Sequence, residues 1–166
     1  MKTTVIILSL FLICQFSVAQ KKWKKLAFAS TTAFVSGMLD GTTESISYHY
    51  EMGFKPRFKK ANDQFWKPSE SWKNKYKNGD PKQGEKFRGS TTSFVFVTDA
   101  YHLLRTSKRT LDGTTLVYFI NSNCTGGKLS KKGKWKTAVK DFAIITAFRC
   151  IGFHTTYNFL FKVNKY

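Results

Sequence analysis

The sequence predicts a mainly α-helical protein, a small bundle of three to four helices that is embedded in or associated with a membrane. Two observations favour this class. Apolar residues recur at helical spacing or in long uncharged runs, and no partner strand stands out for the strand-like run 94–97 other than residues 114–120. A third observation is that small residues suited to close helix contact are concentrated between residues 29 and 37.

The composition limits the classes of protein that remain. The 166 residues carry 28 Lys and Arg against 10 Asp and Glu, a formal net charge of +18. A disordered basic tail is excluded, because 42% of the residues are hydrophobic and 16% are aromatic. The length suits one compact domain, and no self-similar period indicates a repeat array.

The first nineteen residues are typical of a signal peptide. Lys2 precedes an apolar run over residues 5–16, and Ser17, Val18 and Ala19 form a cleavage-like exit. We expect cleavage after Ala19, which leaves residues 20–166 as a single exported helical domain on the envelope or periplasmic side. The alternative is an uncleaved anchor, favoured by the lysines at residues 21–25.

Two cysteines remain after cleavage, and their state is left open. Cys124 and Cys150 could form one bridge in an oxidising compartment. The alternative for Cys150 is a small buried residue, since it lies within a long apolar segment.

Residues 23–50 are predicted to form the first helix. At helical spacing, one side carries apolar positions from Phe28 to Ile46, including Val35. The opposite side carries Ser36, Asp40, Glu44 and Ser47. Gly37 and Gly41 weaken such a helix by up to ~1 kcal/mol each, which suggests a packing or lipid-side reason for them.

Residues 51–90 are predicted to form an irregular basic lobe outside the helices. They hold all three prolines, eleven basic residues and five acids, and seven aromatic rings lie among the charges. A linker would not need so many rings, so we expect an ordered segment with a short helix at residues 69–77. Residues 78–81 read Asn-Gly-Asp-Pro and predict a turn.

Sequence patterns define the secondary structure of the remaining segments less clearly. Residues 91–106 are predicted as one helix, and residues 114–120 suit a helix or a strand equally. Residues 128–140 hold six lysines and no acid. Residues 135–162 are predicted as a helix with apolar residues on every face, which buries it in protein or lipid.

Membrane contact is predicted from the last helix. Residues 142–161 carry one formal charge, Arg149, and no other segment of the chain after residue 20 is as long and as weakly charged. A central charge costs roughly 2.5–3.5 kcal/mol on insertion, so the segment inserts poorly alone. Membrane embedding or close association is favoured, with a soluble exported helical domain as the alternative.

The few acids and histidines are the candidates for chemistry. Asp40 and Glu44 share one helix face, and Asp99 and His102 share another. If the helices converge with His154, these five residues could form the catalytic centre of a metal-dependent enzyme or carrier. Asp40, Glu44 and His102 would then ligate a divalent metal ion; otherwise no cofactor is expected.

A purely structural interpretation of the same residues is preferred. Ionisable groups inside an apolar bundle need partners, so Asp40 or Asp99 is expected to pair with Arg149, and His102 to orient Asp99. Whether the chain is an enzyme stays open, since it has no nucleophile motif and no phosphate-cradling glycine loop.

The basic lobe favours binding of anions. Lysines alternate with rings that could stack on a ligand; the predicted anion-binding residues are Trp66, Lys67, Trp72, Lys73, Lys75 and Lys77. Export makes nucleic acid an unfavoured partner and leaves anionic lipid, envelope polysaccharide or a protein. The predicted function is therefore structural or interaction-based at the cell envelope, with the oligomeric state open.

Overall fold

A computed structural model describes residues 22–124 and 131–162, and this part of the chain is mainly helical. The long helices are α1 (Lys22–Tyr48), α4 (Ala100–Cys124) and α5 (Lys131–His154). The one-turn helices α2 (Asp63–Trp66) and α3 (Pro68–Ser71) lie between α1 and α4. The predicted helical class is confirmed.

Short turns complete the described chain. One π-helical turn, Tyr50–Phe54, follows α1, and another, Thr155–Leu160, follows α5. The 3-10 turns are Trp72–Lys75, Lys77–Gly79, Pro81–Gln83 and Val95–Val97. The short helix predicted at residues 69–77 is present as α3 and the 3-10 turn that follows it.

The predicted helix over residues 91–106 is wrong in its bounds. Val95–Val97 forms a 3-10 turn, and α4 begins at Ala100 and continues without a break to Cys124. Residues 114–120 are therefore helical and belong to α4. The residues between 106 and 114 were assigned to no element; of these, Lys108 forms an ion pair with Asp40 of α1, and Asp112 forms one with Arg149 of α5.

Helix α1 lies in the middle of a layer of three helices. Its Thr32 hydroxyl contacts Thr115 of α4 at 2.8 Å, and Asp40 contacts Lys108, so α1 and α4 are antiparallel. Helix α5 runs parallel to α1, since Ala29 packs with Ile145 and Gly41 lies against Thr156. Direct contact between α4 and α5 is slight by comparison.

Glycines allow α1 and α5 to approach closely. A Cβ at Gly37 would overlap the Arg149 carbonyl, and a Cβ at Gly152 would overlap that of Phe34. The packing reason predicted for Gly37 and Gly41 is thus confirmed.

The buried face of α1 matches the predicted one only in part: Ile46 is fully buried as expected, but other positions differ. Ser36 is fully buried, whereas Val35, expected on the apolar side, is exposed. Since α1 has neighbours on two sides, small and hydroxylated residues face those neighbours. Its Ser and Thr hydroxyls largely bond to carbonyls one turn back, as Thr43 does with Leu39.

The lobe, residues 51–90, docks on the C-terminal end of α1. Its central ring is Phe54, which stacks within 5.1 Å of Trp66 and lies 5.3 Å from Phe161. Ile46 and Ala100 complete this buried cluster. The predicted turn is present, with Gly79 at a φ of 75°.

Three predictions concern the leader, the cysteines and a membrane-spanning helix. The leader, residues 1–19, and the Cys124 side chain lie outside the described residues. Cys150 is an exposed free thiol rather than a buried residue. None of the helices in the described ranges is both long enough and apolar enough to cross a membrane.

Candidate functional site

An ion network joins the three long helices at their middle. The Asp40 carboxylate on α1 accepts from the Lys108 Nζ of α4 at 2.6 Å and from an Arg149 nitrogen of α5 at 3.0 Å. The predicted pairing of Asp40 with Arg149 is therefore confirmed, whereas Asp99 has a different partner.

Arg149 also joins Asp112 and Ser36 to the network. Its second terminal nitrogen donates to Asp112 at 2.5 Å and to the Ser36 hydroxyl at 2.8 Å. Ser36 in turn donates to Asp112. Two carboxylates and two cations thus balance, which satisfies charges that would otherwise be unfavourable between helices. The four charged side chains are 24–40% exposed.

Asp99 and His102 lie next to each other at the start of α4. The Asp99 side chain is almost fully buried and accepts from the His102 backbone nitrogen at 2.9 Å, as a helix N-cap does. It also contacts the His102 ring nitrogen Nδ1 at 2.8 Å and accepts from the Thr98 hydroxyl. The expected orientation of this pair is confirmed, and its local geometry accounts for the Asp-x-x-His spacing.

The other predicted catalytic residues lie apart. Glu44 is half-buried on α1, and no ion pair within the described ranges involves it. His154 is exposed near the end of α5, where its ring bonds to Asn158. Among residues 22–124 and 131–162, no three His, Cys, Asp or Glu side chains are grouped so that they could share a metal ion. The structure therefore does not gather the predicted metal ligands Asp40, Glu44 and His102.

The predicted anion-binding residues divide into two sets. Trp66 packs against the buried cluster around Phe54, and Lys67 pairs with Glu51 at 2.5 Å, which raises the pKa of Lys67. Lys73 makes a longer contact with Glu70.

The remaining three residues of the predicted anion site are less engaged. Trp72 is exposed and stands edge-on to Tyr76. Lys75 and Lys77 have no acidic partner in the described part of the chain. These two lysines are therefore the members of the predicted set whose charge is available.

The sequence analysis missed an exposed apolar surface, here named the α4–α5 surface. It lies on the C-terminal half of α4 and along α5, which meet where Phe119 and Phe142 make an edge contact. Its exposed members are Leu116, Val117, Ile120, Trp135, Val139 and Phe142; Phe148 and Ile151 are also exposed, but on the opposite side of α5. A signal for α4 was available, because Leu104, Leu111 and Tyr118 recur at seven-residue spacing.

Lysines border this surface. Lys134, Lys136 and Lys140 are exposed on the first turns of α5. In the sequence, residues 22–39 and 113–140 together hold nine lysines and neither Asp nor Glu. The half of the layer around the start of α1 is therefore mainly basic, with Asp141 of α5 as a buried acid within it.

Comparison of the chain with protein-family models, with curated proteins and with solved structures found no match.

Proposed function

We propose that this protein is an exported envelope protein of structural or interaction type, which binds an anionic membrane through its α4–α5 surface. The observation that carries the proposal is the inverted distribution of polarity in the helical layer. Charged and hydroxylated side chains lie between the helices beside a small apolar cluster around Ile145, while many large apolar side chains are exposed.

The inner part of the layer is unusually polar. Asp40, Arg149 and Ser36 meet at its centre, and the Thr32–Thr115 pair lies further along the same helices. Polar groups between helices are typical of bundles whose exterior contacts lipid, since there the interior offers the only partners.

The outer part is correspondingly apolar. Val117 is 62% exposed, Phe142 60% and Trp135 72%. Large apolar side chains exposed on neighbouring turns of two helices indicate an interaction surface. Burying one such side chain contributes about 1.5–3 kcal/mol, so lipid contact would stabilise the exposed face.

The charge pattern identifies the kind of membrane. Lysines near an anionic lipid surface gain about 1 kcal/mol each, and tryptophan is enriched at the membrane–water boundary. Trp23 and Trp135 are both exposed beside lysines in the basic half. An anionic lipid headgroup layer complements both features, whereas an apolar protein groove complements only one.

Vesicle co-sedimentation tests the proposal with the protein lacking residues 1–19. We expect binding to phosphatidylcholine vesicles that contain phosphatidylglycerol, and weaker binding in high salt or without the anionic lipid. Val117→Glu is expected to weaken binding about tenfold, because it places a carboxylate in the apolar contact.

A matched control is available in the lobe. Met52 is also 62% exposed but lies at the other end of α1, so Met52→Glu is expected to leave vesicle binding unchanged. Equal losses for the two variants would contradict the proposed surface. Binding to a protein but to neither vesicle type would favour the protein-partner alternative and overturn the lipid assignment.

Export has a separate test. Edman sequencing of the protein from the envelope fraction is expected to begin at Gln20, which follows the predicted cleavage site. A carbonate wash of that fraction separates interfacial binding, which it reverses, from embedding. An intact N-terminus on cytosolic material would contradict export.

A further inference from the structure

A cleft in the lobe lies at the opposite end of the molecule from the basic half of the layer. It has a volume of about 260 Å³ and opens between residues 62–65, Asn74, residues 86–87 and residues 97–98. The α1 helix of 27 residues, about 40 Å long, separates the two regions. The cleft is therefore available for a role independent of lipid binding.

The walls of the cleft are held in place by one side chain. The Asn74 amide nitrogen donates to the Gln64 carbonyl at 2.6 Å and to the Thr98 carbonyl at 3.1 Å. Both of its N–H groups are thus used to join two segments, and its oxygen is left as an acceptor. Thr98 is itself fixed, because its hydroxyl bonds to Val95 and to the buried Asp99.

An unneutralised positive charge borders the cleft. Lys86 lines it, and the Lys86 backbone nitrogen donates to the Lys75 carbonyl at 2.9 Å, next to the antiparallel bridge between Tyr76 and Glu85. Lys86 has no acidic partner among the described residues.

The nearest carboxylate is already engaged elsewhere. Glu85 accepts from the Gly89 backbone nitrogen at 3.0 Å and from the Thr91 hydroxyl. These hydrogen bonds, that of Thr91 first, lower the pKa of Glu85 and hold its charge in the turn after it. The positive charge of Lys86 therefore remains available to a ligand.

The other lining groups indicate what else the ligand carries. Phe65, Phe87 and Val97 provide apolar walls, and the latter two are about half exposed. The amides of Asn62 and Gln64 add hydrogen-bond donors and acceptors. A few polar groups among apolar walls is the usual composition of a small-molecule site.

We propose that this cleft binds a sugar ring that bears a carboxylate, as in a uronic acid unit of an anionic polysaccharide. The ring's C–H faces pack against the phenylalanines, its hydroxyls bond to the amides, and its carboxylate pairs with Lys86. Inorganic phosphate is disfavoured as the ligand, because it can pair with the Lys86 ammonium but has no ring to pack against Phe65 and Phe87.

Isothermal titration calorimetry with the protein lacking residues 1–19 tests the proposal, using trigalacturonate, neutral maltotriose and inorganic phosphate as ligands. Trigalacturonate is expected to bind saturably at one site. The neutral trisaccharide and phosphate are each expected to bind at least about tenfold more weakly, because each lacks one of the two required features.

Variants assign the binding to the cleft. Lys86→Gln is expected to weaken trigalacturonate binding about tenfold, since it removes one charge-assisted hydrogen bond. Lys82→Gln changes an exposed lysine of the same lobe outside the cleft and is expected to have no effect. Phe87→Ala is expected to weaken both sugars but not phosphate, which separates ring packing from charge.

Three results would overturn the proposal: equal weakening by the two lysine variants, equal binding of phosphate and trigalacturonate, or no saturable binding by the folded protein. The proposal for the cleft and the proposal for the α4–α5 surface can be refuted independently of each other. Lys86→Gln is expected to leave vesicle binding unchanged, and Val117→Glu to leave uronate binding unchanged.

Discussion

Replacing Gly152 with alanine is expected to destabilise this protein, whereas the same replacement at Gly113 is expected to stabilise it. Both glycines lie inside long helices, Gly152 in α5 and Gly113 in α4. Alanine is favoured over glycine within a helix by about 0.5–1 kcal/mol. Helix propensity alone therefore predicts the same gain at both positions.

The surroundings of the two glycines reverse the expectation for one of them. A Cβ at Gly113 meets nothing within 4 Å. A Cβ at Gly152 would overlap the Phe34 carbonyl oxygen and stand 2.9 Å from its carbon and 3.2 Å from the Met38 nitrogen. These are backbone atoms, so relief requires α1 and α5 to move apart by about 1 Å in a close-packed interior.

The sizes of the two opposing effects decide whether Gly152→Ala raises or lowers the free energy of unfolding. Overpacking of this kind lowers the free energy of unfolding by typically 1–3 kcal/mol, which exceeds the gain in helix propensity. For a chain of this size, each kcal/mol corresponds to about 2–4 °C in Tm. Gly152→Ala is thus expected to lower Tm by about 2–8 °C, and Gly113→Ala to raise it by about 1–4 °C.

Urea and thermal unfolding followed by circular dichroism at 222 nm, for wild type and the two variants, measure both effects. Tryptophan fluorescence provides a second probe of the same transitions. If both alanines raised Tm, α1 and α5 would not be in backbone contact, and the polar interior between them would have to be reconsidered.

Two further variants test the charges. Arg149→Met is expected to lower the free energy of unfolding by about 1–2 kcal/mol, because it removes the cation that pairs with both the Asp40 and the Asp112 carboxylates. Arg109→Met, at an exposed position of α4, is the control. Equal losses of stability in the two variants would contradict a special role for Arg149. The hydrogen bond from Lys55, followed by that from Tyr50, holds the pKa of Asp63 below its ordinary value of 3.8. The resulting stability is present above about pH 4 and is lost as the pH falls through the lower folded-state pKa, so Asp63→Asn is expected to flatten the acid limb of a stability–pH profile; an unchanged limb would contradict this.

Local patterns predicted the parts of the fold that depend on neighbouring residues in the chain. Helix α1 was predicted at residues 23–50 and occupies Lys22–Tyr48. The turn at Gly79 was predicted from residue types that tolerate its backbone angles. The pairing of Asp40 with Arg149 followed from the need to compensate charge inside a bundle.

Parts that depend on distant contacts were not predicted. The predicted helix ended at residue 106, and the stretch of α4 that holds Lys108 and Asp112 was assigned to no element; it is helical where both residues meet partners on other helices. Tertiary contacts often override local propensity in this way. Asp99 and His102 were singled out as candidate catalytic residues by their spacing, but the same spacing is what an N-cap and its third helical residue require.

The inverted polarity explains why part of the buried face of α1 was assigned to the wrong residues. Periodicity arguments assume that apolar side chains turn inward because water surrounds the protein. Here Val35 and Val117 are exposed while Ser36 is fully buried, so the assumption fails on two helices. In α5, apolar residues on every face were predicted to require burial in protein or lipid, yet Phe142 and Ile151 are exposed. Because the described residues leave both side chains exposed, the proposed lipid contact would satisfy that prediction, and the Val117→Glu and Met52→Glu pair measures whether it does.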